Sequence, residues 1–416
     1  MEPLKGLPVL LLFVAATCSS AFTQAQDDDQ LTSADLANVH VRSARVAPRG
    51  HRNGQADARF GVQGIDSLVN FNKHFQAPGV DQNGNPQLIW YYTTVGNPPE
   101  MGGTTTINVP IIPVSLDLRN FDGSPRFVNG HRLFYDATPS VDPLLGSPLF
   151  QNANYTSSDL PTQYTDAIQR AEFFNSMKPD WQTLLNPSVK IPRAITLIRG
   201  TYKFGVNPDG SCCSIVLVDF NTWFDKLAPT TIPPDNTTPI GAAEIAGEMT
   251  TEDITIILSP PNTFQFSGSF CCVGGFHTYD FEPGDDSNDN KERRYVLTFS
   301  SLFNFASIDV YGFSHELAEI LNDPFVQTPP TGVTPWWLAP NGNCQDFLEV
   351  ADVLENLPNS AFPITMPNGV TYHPQNVALR QWFEFRSPSN ALHGAYSYPD
   401  ESLLTTLSPP QKLNCN

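Results

Sequence analysis

Six apolar runs of strand length constrain what this chain can become. They are QLIWYYTT at 87–94, TTINVPIIPVSLDL at 105–118, RAITLIRGTYKF at 193–204, SIVLVDF at 214–220, DITIILS at 253–259 and RRYVLTFS at 293–300. Their β-branched and aromatic content marks them as strands, and the last two are apolar almost throughout, as strands covered on both faces are. Asp209-Gly210 between the third and fourth runs is a hairpin signal. Helical spacing is confined to TQYTDAIQRAEFFNSM at 162–177 and ASIDVYGFSHELAEILND at 306–323. With 38 prolines and no internal repeat, the chain reads as strand-rich α+β around one central helix.

Residues 1–25 have the form of a signal peptide: Lys5, an apolar run from Leu7 to Ala16, then small residues ending at Ala21 or Ala25. Export is the expectation, to the extracellular space, the periplasm or the cell surface. That run is too short to cross a bilayer as a helix and no later stretch is long enough, so no membrane span is expected. Residues 26–86 are polar, with DDDQ at 27–30 and the basic stretch RSARVAPRGHR at 42–52, and read as a tail, linker or propeptide. Residues 87–416 are expected to form one large domain, although Phe60 is an alternative start.

The balance of 23 basic against 42 acidic residues gives a net charge of −19, a poor surface for nucleic acid or anionic membrane. Once Cys18 leaves with the leader, six cysteines remain, an even number that favours disulfides in an exported protein. The expected pairing joins Cys212/Cys213 to Cys271/Cys272 and clips Cys344 to Cys415.

Chemistry is concentrated in the second helical segment. Val310, Phe313, Leu317, Ile320 and Leu321 recur at helical spacing and would face the core, opposite a stripe of His315, Glu316, Glu319, Asn322 and Asp323. His-Glu-x-x-Glu is close to the H-E-x-x-H of zinc peptidases. There two ligands one turn apart hold the metal, and the glutamate beside the first takes a proton from metal-activated water. His315 and Glu319 would be ligands and Glu316 the general base. Zinc is the first expectation, and the extra carboxylate would also suit manganese or calcium.

The plain alternative is the wet face of an amphipathic helix. Against it, no Lys or Arg occurs between Arg294 and Arg380, whereas Asp309, Glu316, Glu319, Asp323, Asp346, Glu349, Asp352 and Glu355 all do. A solvated face mixes signs. Carboxylates that converge without cations share protons, spread apart, or neutralise one another on a metal. The third ligand is expected from NCQDFLEVADVLE at 343–355, as Glu349, one helical turn from Asp352. Asp352, with Asp323, would support the ligands from behind. The plain reading makes both surface residues of a short helix. His277, in CCVGGFHTYDF, is placed on a rigid loop near the site, to bind substrate or stabilise an oxyanion, or else to serve structure alone.

Other chemistries fit poorly. There is no G-x-S-x-G elbow and no Gly-rich phosphate loop after a strand, and the cysteines are expected to be bridged. EPGDDSNDN at 282–290 fails the EF-hand template and reads as a solvated loop.

The order DITIILS, FCCVGGFHTY, VYGFSHELAEILNDPF, NCQDFLEVADVLE resembles the plant phosphate-induced, Exordium-type proteins and their bacterial and fungal relatives. Phe276-His277 falls on their G-F-H element, Ser314 to Glu319 on their G-H-E-L-A-E helix, and Glu349 to Asp352 on their E-I-G-D segment. Asp323 intervenes before Pro324, and Cys344 precedes the last motif where the family has a cysteine after it. The resemblance covers about residues 253–355 and implies secretion, a zincin-like helix and action at the cell surface or wall. The resulting expectation is a secreted, metal-dependent, peptidase-like hydrolase of disulfide-stabilised, zincin-like α+β fold, acting on a peptide or other extracellular substrate. Its competitor is a non-catalytic extracellular or wall-associated binding protein with a structural or degenerate metal site.

Overall fold

The computed structural model describes residues 29–31, 35, 42–43, 65–80, 86–158, 160–268, 270–303, 309–326, 337–345 and 348–407. The leader lies outside them. The strands that build the molecule are β1 (Arg42–Ser43), β2 (Ile65–Asp66), β3 (Asn70–Val80), β4 (Pro86–Val95), β5 (Thr104–Arg119), β6 (Gln182–Val189), β7 (Arg193–Ile198), β8 (Tyr202–Val206), β9 (Cys212–Asp219), β10 (Ile254–Ser259), β11 (Thr263–Ser267), β12 (Phe270–Glu282) and β13 (Glu292–Ser301). The principal helices are α1 (Tyr164–Glu172), α2 (Phe220–Leu227), α3 (Pro239–Ile245), α4 (Tyr311–Asn322) and α5 (Arg380–Phe383).

One mixed sheet runs in the order β7-β5-β10-β13-β12-β11-β9-β8. β5, β10 and β13 are parallel, and β12 enters antiparallel to β13. The continuous apolar runs are explained by what covers them. Ile254, Ile256 and Leu258 of β10 join the core on the α4 side, and Ile257 the core on the α2/α3 side, where Trp223, Leu227, Ile240 and Ala243 pack. This is the sandwiching that the period of two requires once both faces are buried.

The run 193–204 is two strands, since Arg199-Gly200-Thr201 turns the chain with Gly200 at φ +92°. Asp209-Gly210 makes the expected hairpin between β8 and β9. Residues 65–80, left in the polar tail by the sequence reading, add β2 beside β13 and the long β3–β4 hairpin, with Leu68 and Phe75 in the core.

The cysteine pairing differs from expectation. Cys212 bonds to Cys213 and Cys271 to Cys272. The register explains why the pairs do not meet: Cys212 opens β9, while Cys271 is level with Phe266 and through it with Asp219 at the other end of that strand. Seven residues of strand amount to about 23 Å, against the roughly 4–7 Å between Cα atoms that a disulfide spans. The clip from Cys344 to Cys415 falls outside the described residues, which exclude Cys415.

α4 begins at Tyr311 rather than within the expected 306–310, where residues 304–308 are not described. Asp309 Oδ1 accepts the Val310 N–H at 2.7 Å and the His373 N–H at 2.8 Å, tying the helix start to a later segment. Val310, Phe313, Leu317, Ile320 and Leu321 enter the core as their spacing requires. The helix lies close on the sheet because Gly312 has no side chain: a Cβ there would collide with Ser300 Oγ and the Phe303 ring. Its polar stripe is not a wet face. Every residue from Gly312 to Asn322 is buried, so the amphipathic surface reading fails.

Truncating Leu317 to Ala should cost about 2–5 kcal/mol, the range for a cavity in a close-packed core, measured as a fall in urea midpoint at constant m-value.

Candidate metal centre

Three pieces of chain meet beneath the sheet. α4 supplies His315, Glu316 and Glu319, β12 supplies His277, and the turn-rich segment 348–360 supplies Glu349 and Asp352. His277 sits within a strand, not on a loop, and is 3% exposed. Its direction follows from strand alternation: Gly275, His277 and Tyr279 share the face that α4 covers, and Phe276 points to the opposite core. Glu349 lies in irregular chain just before the run of turns that holds Asp352, not on a regular helix. Glu349 is 6% exposed and Asp352, at 29%, is the open side of the cluster.

Glu319 joins these pieces. Its Oε1 lies 3.2 Å from His315 Nε2 and accepts the main-chain N–H groups of Ala351 at 3.2 Å and Asp352 at 3.3 Å. Its Oε2 lies 3.5 Å from His277 Nδ1, which also meets Glu316 Oε2 at 3.2 Å. Asp352 Oδ1 is 3.4 Å from His315 Nε2. Two sets of side chains bring their donor atoms within 4.8 Å of one another, His277 with Glu319 and Glu349, and His315 with Glu316 and Glu319.

Both imidazoles are held from behind by carbonyl oxygens. Gln375 Nε2 donates to Ala351 O at 2.7 Å, so its Oε1, 2.8 Å from His315 Nδ1, is the acceptor. One proton therefore belongs on Nδ1, and Nε2 is the atom turned toward the carboxylates, where it takes either a second proton or a metal. His277 Nε2 faces the main-chain oxygen of Asp323 at 3.3 Å, which leaves Nδ1 toward Glu316 and Glu319. Asp323 thus supports the site through its carbonyl. Asp309 is spent on the start of α4, and Asp346 lies outside the described residues.

The donor set fits a divalent cation. His315 Nε2, Glu349 Oε1 and Asp352 Oδ1 are buried with no hydrogen-bond partner, and each such atom costs about 1–3 kcal/mol if nothing satisfies it. His315 Nε2 has carboxylate oxygens within ion-pair range but none in hydrogen-bonding geometry. Ligand atoms about 2.1 Å from a tetrahedral zinc ion stand roughly 3.4 Å from one another. The 3.2 Å, 3.4 Å and 3.5 Å separations around His315 and Glu319 are of that size.

The protonation state shows how the cluster balances itself without a cation. Burial disfavours the charged form of both imidazoles. Glu349, Glu316 and Glu319 around His277, and Glu319 and Asp352 around His315, outweigh it and hold both well above the usual histidine range. Burial, then the negative Glu319, pushes Glu349 well above the carboxylate range. Burial also raises Glu316 and Asp352, against the pull of the histidines. Glu319 alone goes down, because His315 and His277 on either side overcome its burial.

Gln375 escaped the sequence reading, as did the Ala351 and Asp352 amides, because a lone glutamine and two main-chain groups carry no pattern. Gly275 escaped too: a Cβ there would stand 2.8 Å from Glu316 Oε1 and 3.1 Å from Phe299 O, so glycine lets Glu316 approach the strand.

No family model, no curated protein and no solved structure matches this chain.

Gln375→Ala should weaken zinc binding about 10–100-fold, as loss of a group that orients a ligand does, measured by chelator competition. An unchanged affinity would show that Gln375 does not set the His315 ring.

Proposed function

We propose that this chain is a secreted, metal-dependent hydrolase acting on a peptide or related amide, with a zincin-like arrangement of its central helix. The observation that carries this reading is the convergence of His315, Glu316 and Glu319 from α4 with His277 and Glu349 in two buried donor sets joined through Glu319. His315, Glu319 and Glu349 are the proposed ligands; Glu319 belongs to both donor sets, but Glu349 falls in the set with His277 and His315 in the set with Glu316, which makes His277 a further candidate. A divalent ion held there would polarise a substrate carbonyl and make water acidic enough to deprotonate near neutral pH.

The work of the chain's own groups follows from their surroundings. Glu316 lies beside both histidines and is raised by burial, which makes it a better proton acceptor than an ordinary carboxylate. In the proposed reaction it takes the proton of the attacking water and returns it to the leaving amine. Gln375 and the Asp323 carbonyl fix the two rings, so that neither must reorganise when charge develops. Asp352 lies on the side from which substrate would approach. The resemblance of the G-F-H and H-E-L-A-E elements to Exordium-type proteins agrees with action at a cell surface or wall, and no helix among the described residues is long and apolar enough to cross a membrane.

One observation favours the competing reading. The donors other than Asp352 are almost wholly buried, as they are in a cation site that serves structure alone. The two readings separate on a single substitution. Glu316→Gln should retain zinc by elemental analysis and lose about 10²–10⁴-fold in peptide or amide hydrolysis. A wild-type protein that carries zinc and cleaves no peptide or amide would end the hydrolase reading in favour of a structural cation.

A further inference from the structure

The two histidines of the cluster are held by different supports and fall in different donor sets. His315 Nδ1 is turned to Gln375 Oε1 at 2.8 Å and His277 Nε2 to the main-chain oxygen of Asp323 at 3.3 Å, so each ring has one nitrogen left for the carboxylates. His277 groups with Glu319 and Glu349, and His315 with Glu316 and Glu319, the donor atoms of each set lying within 4.8 Å of one another. The sets overlap at Glu319, which turns a different oxygen to each ring. Its Oε1 lies 3.2 Å from His315 Nε2 and its Oε2 lies 3.5 Å from His277 Nδ1. A carboxylate facing two nitrogen donors with its two oxygens stands where a bridge between two ions would stand.

The orphaned atoms and the charge point the same way. His315 Nε2 and Glu349 Oε1, in residues 2% and 6% exposed, are buried without a hydrogen-bond partner, and they belong to different sets. One ion placed in either set leaves the orphan of the other. Glu316, Glu319, Glu349 and Asp352 bring four carboxylates to the two rings. A single divalent ion cancels half of that charge and leaves the remainder to protons, whereas two cancel it with both imidazoles neutral, the form in which they bind metal. Two imidazoles with four carboxylates are also the donors with which di-iron and di-manganese carboxylate proteins hold a pair of ions.

We propose that the cluster is a paired-cation centre, with one divalent ion on His277, Glu319 and Glu349, a second on His315, Glu319 and Asp352, and Glu319 as the bridge. The inference rests on the metal-dependent reading and adds a second ion to it. Asp352 is the third donor on the His315 side because its Oδ1 is 3.4 Å from His315 Nε2 and has no hydrogen-bond partner. That leaves Glu316, 3.2 Å from His277 Nδ1 and in the donor set of His315, to the proton. Paired ions of this kind serve aminopeptidases, phosphatases and nucleases.

The test counts metal on the full chain. Protein stripped by chelator, loaded with excess zinc and desalted should retain about two zinc ions per chain by elemental analysis. His277→Ala and His315→Ala, acting on different ions, should each retain about one, and Glu319→Gln, acting on both, less than about one; circular dichroism and thermal midpoints check that the variants fold. Manganese gives a readout on the unaltered chain, which decides the matter even where a variant fails to fold. The hyperfine-split electron paramagnetic resonance of the first equivalent should collapse into an exchange-coupled spectrum as the second binds. Saturation of the wild type by a single ion, undiminished zinc on His277→Ala, or a manganese signal that grows unchanged through the second equivalent would overturn the pair. Hydrolysis is read separately. A single saturating ion on a chain that cleaves peptide or amide keeps the hydrolase reading and removes the pair, and two coupled ions on a chain that cleaves neither keep the pair and remove the hydrolase reading.

Discussion

The Glu319 carboxylate is the contact on which the rest of the centre depends. It lies between two imidazoles from different elements and accepts two main-chain N–H groups from a third, so helix, strand and turn are joined by one side chain. A buried carboxylate is tolerated only when such partners replace water, since the desolvation cost is several kcal/mol per ion. The partners also explain the opposite behaviour of its neighbours. Glu319 takes the positive charge of both rings and stays ionised, whereas Glu349, with Glu319 as its strongest charged neighbour, tends to hold a proton.

The protein shows elsewhere how it treats buried acids that have only structure to serve. Arg380, whose guanidinium lies 4.6 Å from the Tyr92 ring centre and 4.3 Å from that of Phe173, reaches Glu384 at 2.8 Å and Glu172 at 3.7 Å. That cluster carries its own permanent cation. Among the described residues no guanidinium or ammonium pairs with Glu319, and the positive charge beside it comes from histidines, which can give it up. Histidines among carboxylates are donors that a metal can take over without leaving a charge behind, while an arginine in their place would exclude one.

Much of this was legible in the sequence, and what was not has definite causes. The continuous runs at 253–259 and 293–300 announced two-sided burial, and α4 was marked by the spacing of Phe313, Leu317 and Ile320. The gathering of acids without cations was a statement about charge, and charge is additive along a sequence. The disulfides were misread because the distance between the two cysteine pairs depends on register, which adjacent cysteines do not encode. His277 looked like a loop residue because Gly274-Gly275 precedes it, yet here glycine makes room for Glu316 within a strand. Glu349 and Asp352 kept the spacing of a helical turn without forming a regular helix, so proximity was foreseen for the wrong structural reason.

The elements that bring the donors differ in stiffness, and this bears on which cation they would suit. His277 belongs to a strand paired on both sides, and His315 and Glu319 to a helix buried along its length. Their main chains cannot shift without disturbing the core. Glu349 and Asp352 belong to an irregular, turn-rich segment joined to the rest partly through the bonds from Ala351 and Asp352 to Glu319 and from Gln375 to Ala351. Two rigid imidazoles with adjustable carboxylates make a site whose nitrogen geometry is fixed and whose oxygen count can vary. Nitrogen ligands that cannot be withdrawn weigh against calcium, which takes oxygen donors, and toward zinc or manganese, between which the number of carboxylates engaged would decide.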